Sequence, residues 1–189
     1  MRRWLCAVLT MPLLLLASCG KTTKEEQTAL NLRAALQSAA SCRFEAAVHA
    51  DCNGRLYDFT LAYEKTPEEE TVTVLEPEEI AKIRANVSPD GTELQFENLI
   101  LELGLGEQAI STPLLLPHLL YACMQGAYIA DTARTPEGAM VRYYSGYGED
   151  HLELQVLVDR ASLTPCSCEL FVDGAVILSA ELSDFSISN

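Results

Sequence analysis

The chain has 189 residues, 49% of them hydrophobic, 7% aromatic and 21% charged, with 13 Lys and Arg against 27 Asp and Glu. That length suits a single domain with a sizeable core, and so much apolar residue excludes a disordered chain. A formal charge of −14 argues against a nucleic-acid partner, because neutralising phosphates needs clustered Lys and Arg.

Residues 1–20, MRRWLCAVLTMPLLLLASCG, begin with Arg2 and Arg3 and continue into a 12-residue apolar run, Leu5–Leu16. Crossing a bilayer takes ~20 residues, so the run reads as the h-region of a secretory leader. Leu16-Ala17-Ser18-Cys19 resembles the lipobox of bacterial lipoproteins. That resemblance implies cleavage before Cys19, a diacylglyceryl group on its thiol and an acyl chain, such as palmitate, on the new amine. Two acyl chains, at ~0.8 kcal/mol per buried CH₂, make a stable anchor. The expected organisation is a signal peptide at 1–18, a lipidated cysteine with a short tether at 19–23, and one domain at 24–189. The expected address is the extracytoplasmic face of the cell membrane. Loss of Arg2 and Arg3 leaves 11 cations against 27 acids, a charge of −16. Anionic headgroups repel such a body, so membrane contact is expected through the anchor.

Lys21–Ser41 reads as a linker running into a helix: Thr23-x-x-Glu26 is a capping box, and Ala29, Leu32, Leu36 and Ala39/Ala40 recur at helical spacing. Residues 42–63 read as a β-hairpin around Asn53-Gly54, a pair suited to the two positive-φ positions of a type I′ turn. In that register Cys52 faces Arg55, Ala50 faces Tyr57, Val48 faces Phe59, Ala46 faces Leu61 and Phe44 faces Tyr63. One face then carries Phe44, Ala46, Val48, Ala50, Tyr57, Phe59, Leu61 and Tyr63, whereas a one-residue slip would mix the faces. Cys42 and Cys52 fall on one strand, ~33 Å apart by strand rise, and cannot bridge.

Further strands are expected at Glu70–Leu75, Asn86–Ser88 and Thr92–Glu97, with a helical turn at Pro77–Ile80 and a turn at Pro89-Asp90-Gly91. Asn98–Gly106 is open between strand and loop. Thr112–Gly126 reads as a short buried helix with Pro113 or Pro117 in its first turn. Tyr128–Ala133, Ala139–Tyr144 and His151–Asp159 read as strands. Cys166–Val172 and Ala175–Leu182 form a second hairpin around Asp173-Gly174.

This order of elements, with Leu157-Val158-Asp159, Leu163-Thr164-Pro165, Val172-Asp173-Gly174 and Asp184-Phe185 toward the end, resembles the LolA/LolB-like lipoprotein-carrier superfamily. The likeness covers roughly residues 24–185. Leu157 stands where the family often has Trp, and Glu169 stands for its acid after the Pro. Within that superfamily the chain is most like lipid-anchored Gram-positive members, including clostridial sporulation and germination lipoproteins. The resemblance implies an α+β, mainly β fold: a strongly curved antiparallel sheet, an incomplete barrel, lidded by an N-terminal helix and a short central helix. It also implies an apolar concavity, used for acyl chains in some members and for a protein partner in others.

Catalytic material is sparse. His49, His118 and His151 are the three histidines, and none sits in a recognised catalytic motif. His49 is expected on the polar hairpin face opposite Asp58, and His118 is expected to cap or pack in an apolar helix. Cys166-Ser167-Cys168 lacks the second cysteine pair of a structural zinc site, so core packing is the expectation there. Glu68-Glu69-Glu70 and Glu76/Glu78/Glu79 are expected in solvated loops. Besides Cys6 and Cys19, five cysteines (Cys42, Cys52, Cys123, Cys166 and Cys168) leave at least one thiol unpaired within the chain.

The candidate apolar cavity comprises Phe44, Val48, Tyr57, Phe59, Leu61, Tyr63, Phe96, Leu116, Leu119 and Leu120. The sequence leaves open whether this surface is a pocket or a filled core. The functional expectation is a non-catalytic, lipid-anchored binding protein without metal or cofactor, scaffolding an envelope protein partner. The alternatives are a hydrophobic-ligand carrier or sensor and, less favoured, a thiol redox sensor.

Overall fold

The computed structural model describes residues 22–52, 55–89, 91–96, 99–103, 113–145 and 152–188. The leader, Cys19, the Asn53-Gly54 turn, Asp90 and His151 lie outside the described residues.

Helix α1 (Lys24–Ser38) starts where the capping box predicts, with the Thr23 hydroxyl accepting the Glu26 N–H at 3.0 Å. Its buried stripe is Thr28, Ala29, Leu32 and Leu36. Strands β1 (Ser41–Cys52) and β2 (Arg55–Lys65) follow, paired in the predicted register from Cys42–Lys65 through Cys52–Arg55. Then come β3 (Glu70–Glu76), a 3₁₀ turn (Glu78–Ile80), β4 (Arg84–Ser88), β5 (Gly91–Phe96) and β6 (Leu99–Leu103). The last resolves part of Asn98–Gly106 as strand.

A 3₁₀ turn at Pro113–Leu115 leads into α2 (Leu116–Gly126), so Pro113 opens the turn and Pro117 lies in the first helical turn. Strands β7 (Tyr128–Arg134), β8 (Ala139–Ser145), β9 (Leu152–Val158), β10 (Pro165–Val172) and β11 (Ala175–Ser188) complete the chain. Asp173 and Gly174 between the last two have φ of 52° and 76°. Both lie in the left-handed region that a type I′ turn requires.

The eleven strands form one antiparallel sheet in the order β6-β5-β4-β3-β2-β1-β11-β10-β9-β8-β7. Only β1 and β11 are not sequence neighbours. Their pairing, Ser41 with Ser188 through Ala50 with Leu178, joins the two ends of the domain, and β11 runs six residues past its predicted end to reach it. Among the described residues the sheet does not close, since β6 and β7 each pair on one side. Register shifts at Arg43/Glu45, Thr60/Leu61, Ile129/Asp131, Pro165/Ser167 and Leu170/Phe171 add the local bends that curve a sheet around its contents.

Those contents are the two helices. Leu32 and Leu36 of α1 and Leu116, Leu120 and Met124 of α2 are buried with the inward residues of β1, β2, β3, β8, β9, β10 and β11 in one cluster. The helices also fasten each other. Arg33 donates to the Met124 carbonyl at 3.3 Å and to that of Ala127, and Gln37 donates to the Gln125 carbonyl at 2.9 Å. Side chains of α1 thus satisfy the last carbonyls of α2, which no intrahelical donor reaches.

Leu120 has no accessible surface and sits between sheet and lid. Leu120→Ala is expected to destabilise the domain by about 2–5 kcal/mol, read as a lower urea midpoint at unchanged slope in a circular-dichroism titration.

Candidate functional site

The candidate cavity residues separate into two groups. Phe44, Val48, Leu61, Tyr63, Leu116 and Leu120 are 0–2% exposed. A residue lining a void keeps surface that a water-sized sphere can touch, and these six keep almost none. Phe59 and Leu119 are partly buried and pack against the same cluster. The middle of the concave face is therefore occupied by helix side chains. Tyr57 and Phe96, 41% and 36% exposed, lie on its flanks, and Tyr57 stacks on Phe59 with ring centroids 6.4 Å apart.

A hydrogen-bonded tie crosses from sheet to lid. Glu68 and Glu69 are exposed, but Glu70 is not in a solvated loop: it opens β3 and is 8% exposed. The reason is the strand's two-residue period, which places Glu70 on the same inward face as Val72 and Val74. Its carboxylate accepts from the Tyr63 hydroxyl at 2.9 Å, pairs with Lys65 Nζ at 3.0 Å, and is bonded to Nδ1 of His118 on α2. Burial acts to raise the carboxyl pKa, but the contacts from His118, Lys65 and Tyr63 outweigh it and hold the group below its ordinary value. His118 therefore does pack within α2, with a partner that the helix sequence alone did not show. The signal was present in the phase of Glu70 with the two valines.

The outward face carries a second feature. His49 Nδ1 and Asp58 Oδ1 are 2.6 Å apart across β1 and β2, with the side chains 58% and 78% exposed. They border a groove of about 510 Å³ that also includes Thr60, Leu75, Glu76, Pro77 and Glu78. Thr60 donates to Glu76 across it at 3.0 Å. The pair is solvated, and the hydroxyl beside it, that of Thr60, is already committed to Glu76.

The three buried thiols lie in the core. Burial pushes Cys42 up to about 12, Cys123 up to about 11 and Cys168 up to about 12, so at neutral pH they hold little of the thiolate that reacts with oxidants. Cys168 and Leu170 are buried on β10. Cys166 is half-buried at a register shift, and its Sγ donates to the Thr164 carbonyl. The other residues of the late-chain pattern also serve local geometry. Asp159 accepts from the Ala161 and Ser162 N–H groups at 3.0 and 2.7 Å to build the β9–β10 turn, and Glu169 points outward.

No family model matches the chain, and no curated protein matches it. Solved structures do. An uncharacterised conserved protein from Thermus thermophilus is 13% identical and aligns over 86% of this chain and 87% of its own, at a TM-score of 0.50. A LolA superfamily protein from Nitrosomonas europaea is 8% identical over 86% and 93%, at 0.46. A structure of the CwlD amidase from Clostridioides difficile in complex with the GerS lipoprotein matches at 12% identity over 85% and 94%, also at 0.46. At such identity the match to the Thermus protein is a likeness of fold alone. Among the described residues no helix is long and apolar enough to cross a membrane.

Glu70 makes the tie testable by pH. A carboxyl held low in the folded state contributes stability that is fully present above its unfolded value, about 4.5, and is lost as pH falls through the folded value. Glu70→Gln is expected to cost about 2 kcal/mol at pH 7. In urea titrations its deficit relative to the parent chain should shrink as pH drops below that unfolded value; a constant deficit would count against the tie.

Proposed function

We propose that this chain is a lipid-anchored, non-catalytic binding protein on the extracytoplasmic face of the cell membrane, and that it holds a protein partner of the cell envelope. In this reading Cys19 carries the anchor, and residues 24–189 form the binding domain at the end of a tether only a few residues long. The observation that carries the proposal is the occupied concavity. With Phe44, Val48, Leu61, Tyr63, Leu116 and Leu120 buried against one another, an acyl chain would have to displace α1 or α2. Displacing α2 would strip a partner from the inward-facing carboxylate of Glu70. Such a core favours use of the outer surface, where protein partners dock. A short anchor also suits a holder better than a carrier that must leave the membrane.

Hydrophobic-ligand binding is the second reading, and the stacked, part-exposed Tyr57 and Phe59 favour it. A ligand there would sit at the open flank of the sheet instead of under the lid.

Two measurements decide. Cys19→Ser is expected to move the chain from the membrane to the soluble fraction and to remove the diacylglyceryl mass. Native mass spectrometry of the full chain, extracted from its own host in mild detergent, is expected to show a stoichiometric protein complex and no lipid beyond the anchor. An additional lipid mass, lost on organic extraction, would replace the scaffold reading with the carrier one.

A further inference from the structure

Strand β2 is longer than its neighbour β3. From Thr60 to Lys65 it pairs on both sides, with β1 and with β3; from Arg55 to Phe59 it pairs with β1 alone. The register shift at Thr60/Leu61 is where β3 parts from it, and Pro77 then carries the chain into the 3₁₀ turn Glu78–Ile80. The gap opens onto the outward groove of about 510 Å³, which runs from Ala47–His49 of β1 over Asp58–Thr60 of β2 to Leu75–Glu78.

In an antiparallel strand, alternate residues turn their N–H and C=O toward each side. Alternate residues of Arg55–Phe59 thus aim theirs into the gap, and among the described residues no backbone group pairs them from that side. An unpaired edge of this kind is a template for another strand. Five residues span ~17 Å, enough for a short extended segment.

The side chains at the gap specify what that segment carries. On the outward face are the carboxylates of Asp58, paired with His49, of Glu76, which accepts from Thr60, and of Glu78, with Leu56 exposed beside them; on the inward face are Tyr57 and Phe59, the former 41% exposed. A strand laid beside β2 projects its residues alternately to the same two faces. Residues that meet the carboxylates match by charge when they are Lys or Arg, and those beside the aromatic rings match when they are apolar. The chain's own charge of −14 adds long-range attraction for such a segment.

We propose that the gap beside Arg55–Phe59 takes an extended segment of the protein partner as an added β-strand, with Lys or Arg alternating with apolar residues. This deepens the scaffold reading and rests on it.

The test uses the isotope-labelled full chain in detergent, with amide hydrogen exchange as the readout. The probe is acetyl-Lys-Val-Lys-Val-Lys-Val-amide. Three controls accompany it: the same peptide with Glu for Lys, one N-methylated at every Lys, and one N-methylated at every Val. Pairing predicts about tenfold slower exchange at alternate amides within Arg55–Phe59 with the basic peptide and none with the acidic one. One of the two N-methylated peptides should lose the effect, because it lacks the donors that face β2. The double variant Glu76→Gln, Glu78→Gln should bind the probe about fivefold more weakly. Equal binding by acidic and basic peptides, no loss with either N-methylated form, or protection elsewhere in the chain would overturn the proposal. So would amides already protected without peptide, since the gap would then be filled by the chain itself. If pairing fails while a stoichiometric partner is still recovered from the membrane, the scaffold reading stands without the strand. If lipid is found instead of a partner, that reading falls whatever the peptide does.

Discussion

The pairing of β1 with β11 is the contact on which the rest of the domain depends. β1 is hydrogen-bonded on both sides along most of its length, to β2 by a hairpin and to β11 across nearly the whole chain. Without the second pairing the molecule would be two separate meanders, each with an apolar face and nothing to close over it. With it, both halves bend around a common interior, and α1 and α2 have one concave surface to fill. The inward residues Ala46, Val48, Ala50, Leu178 and Ala180 along this seam are 0–2% exposed. Four of them are Ala or Val, and small side chains at the middle of a bent sheet leave room for the helices to approach.

Into that interior the chain places the carboxylate of Glu70. Glu70 lies at the sheet–helix boundary, and its bonds to Tyr63, Lys65 and His118 make lid closure more than an apolar event. Lifting α2 would leave a charge short of a donor, which costs more than separating apolar surfaces of similar size. The tie is specific as well as stabilising, since only one seating of α2 brings His118 to Glu70. Together with the capping of α2 by Arg33 and Gln37, it fixes the lid helix at both ends.

With the interior filled, unpaired backbone is found where the sheet is incomplete. The parting of β3 from β2 is such a place, and it follows from one register shift and one proline. The same sheet that keeps its inner face dry thus leaves backbone donors and acceptors, rimmed by carboxylates, along a short length of β2.

Local pattern alone determined much of this protein. The Thr23 cap, the strict alternation of residues 43–63 and the Asp173-Gly174 turn each act over a few residues, through backbone geometry and side-chain period. Helices, both hairpins and the β1–β2 register were therefore legible in the sequence. What the sequence could not decide involves partners far apart in it. The β1–β11 seam joins residues up to 147 apart, and no local spacing reports it. Glu70 sits in a run of three glutamates that reads as solvated, and only its strand phase together with the position of His118, 48 residues on, buries it. Whether the apolar face was a pocket or a core likewise depended on how far α1 and α2 reach across it. That is a matter of volumes meeting in space, and volume is a property of the folded chain, not of any segment of it.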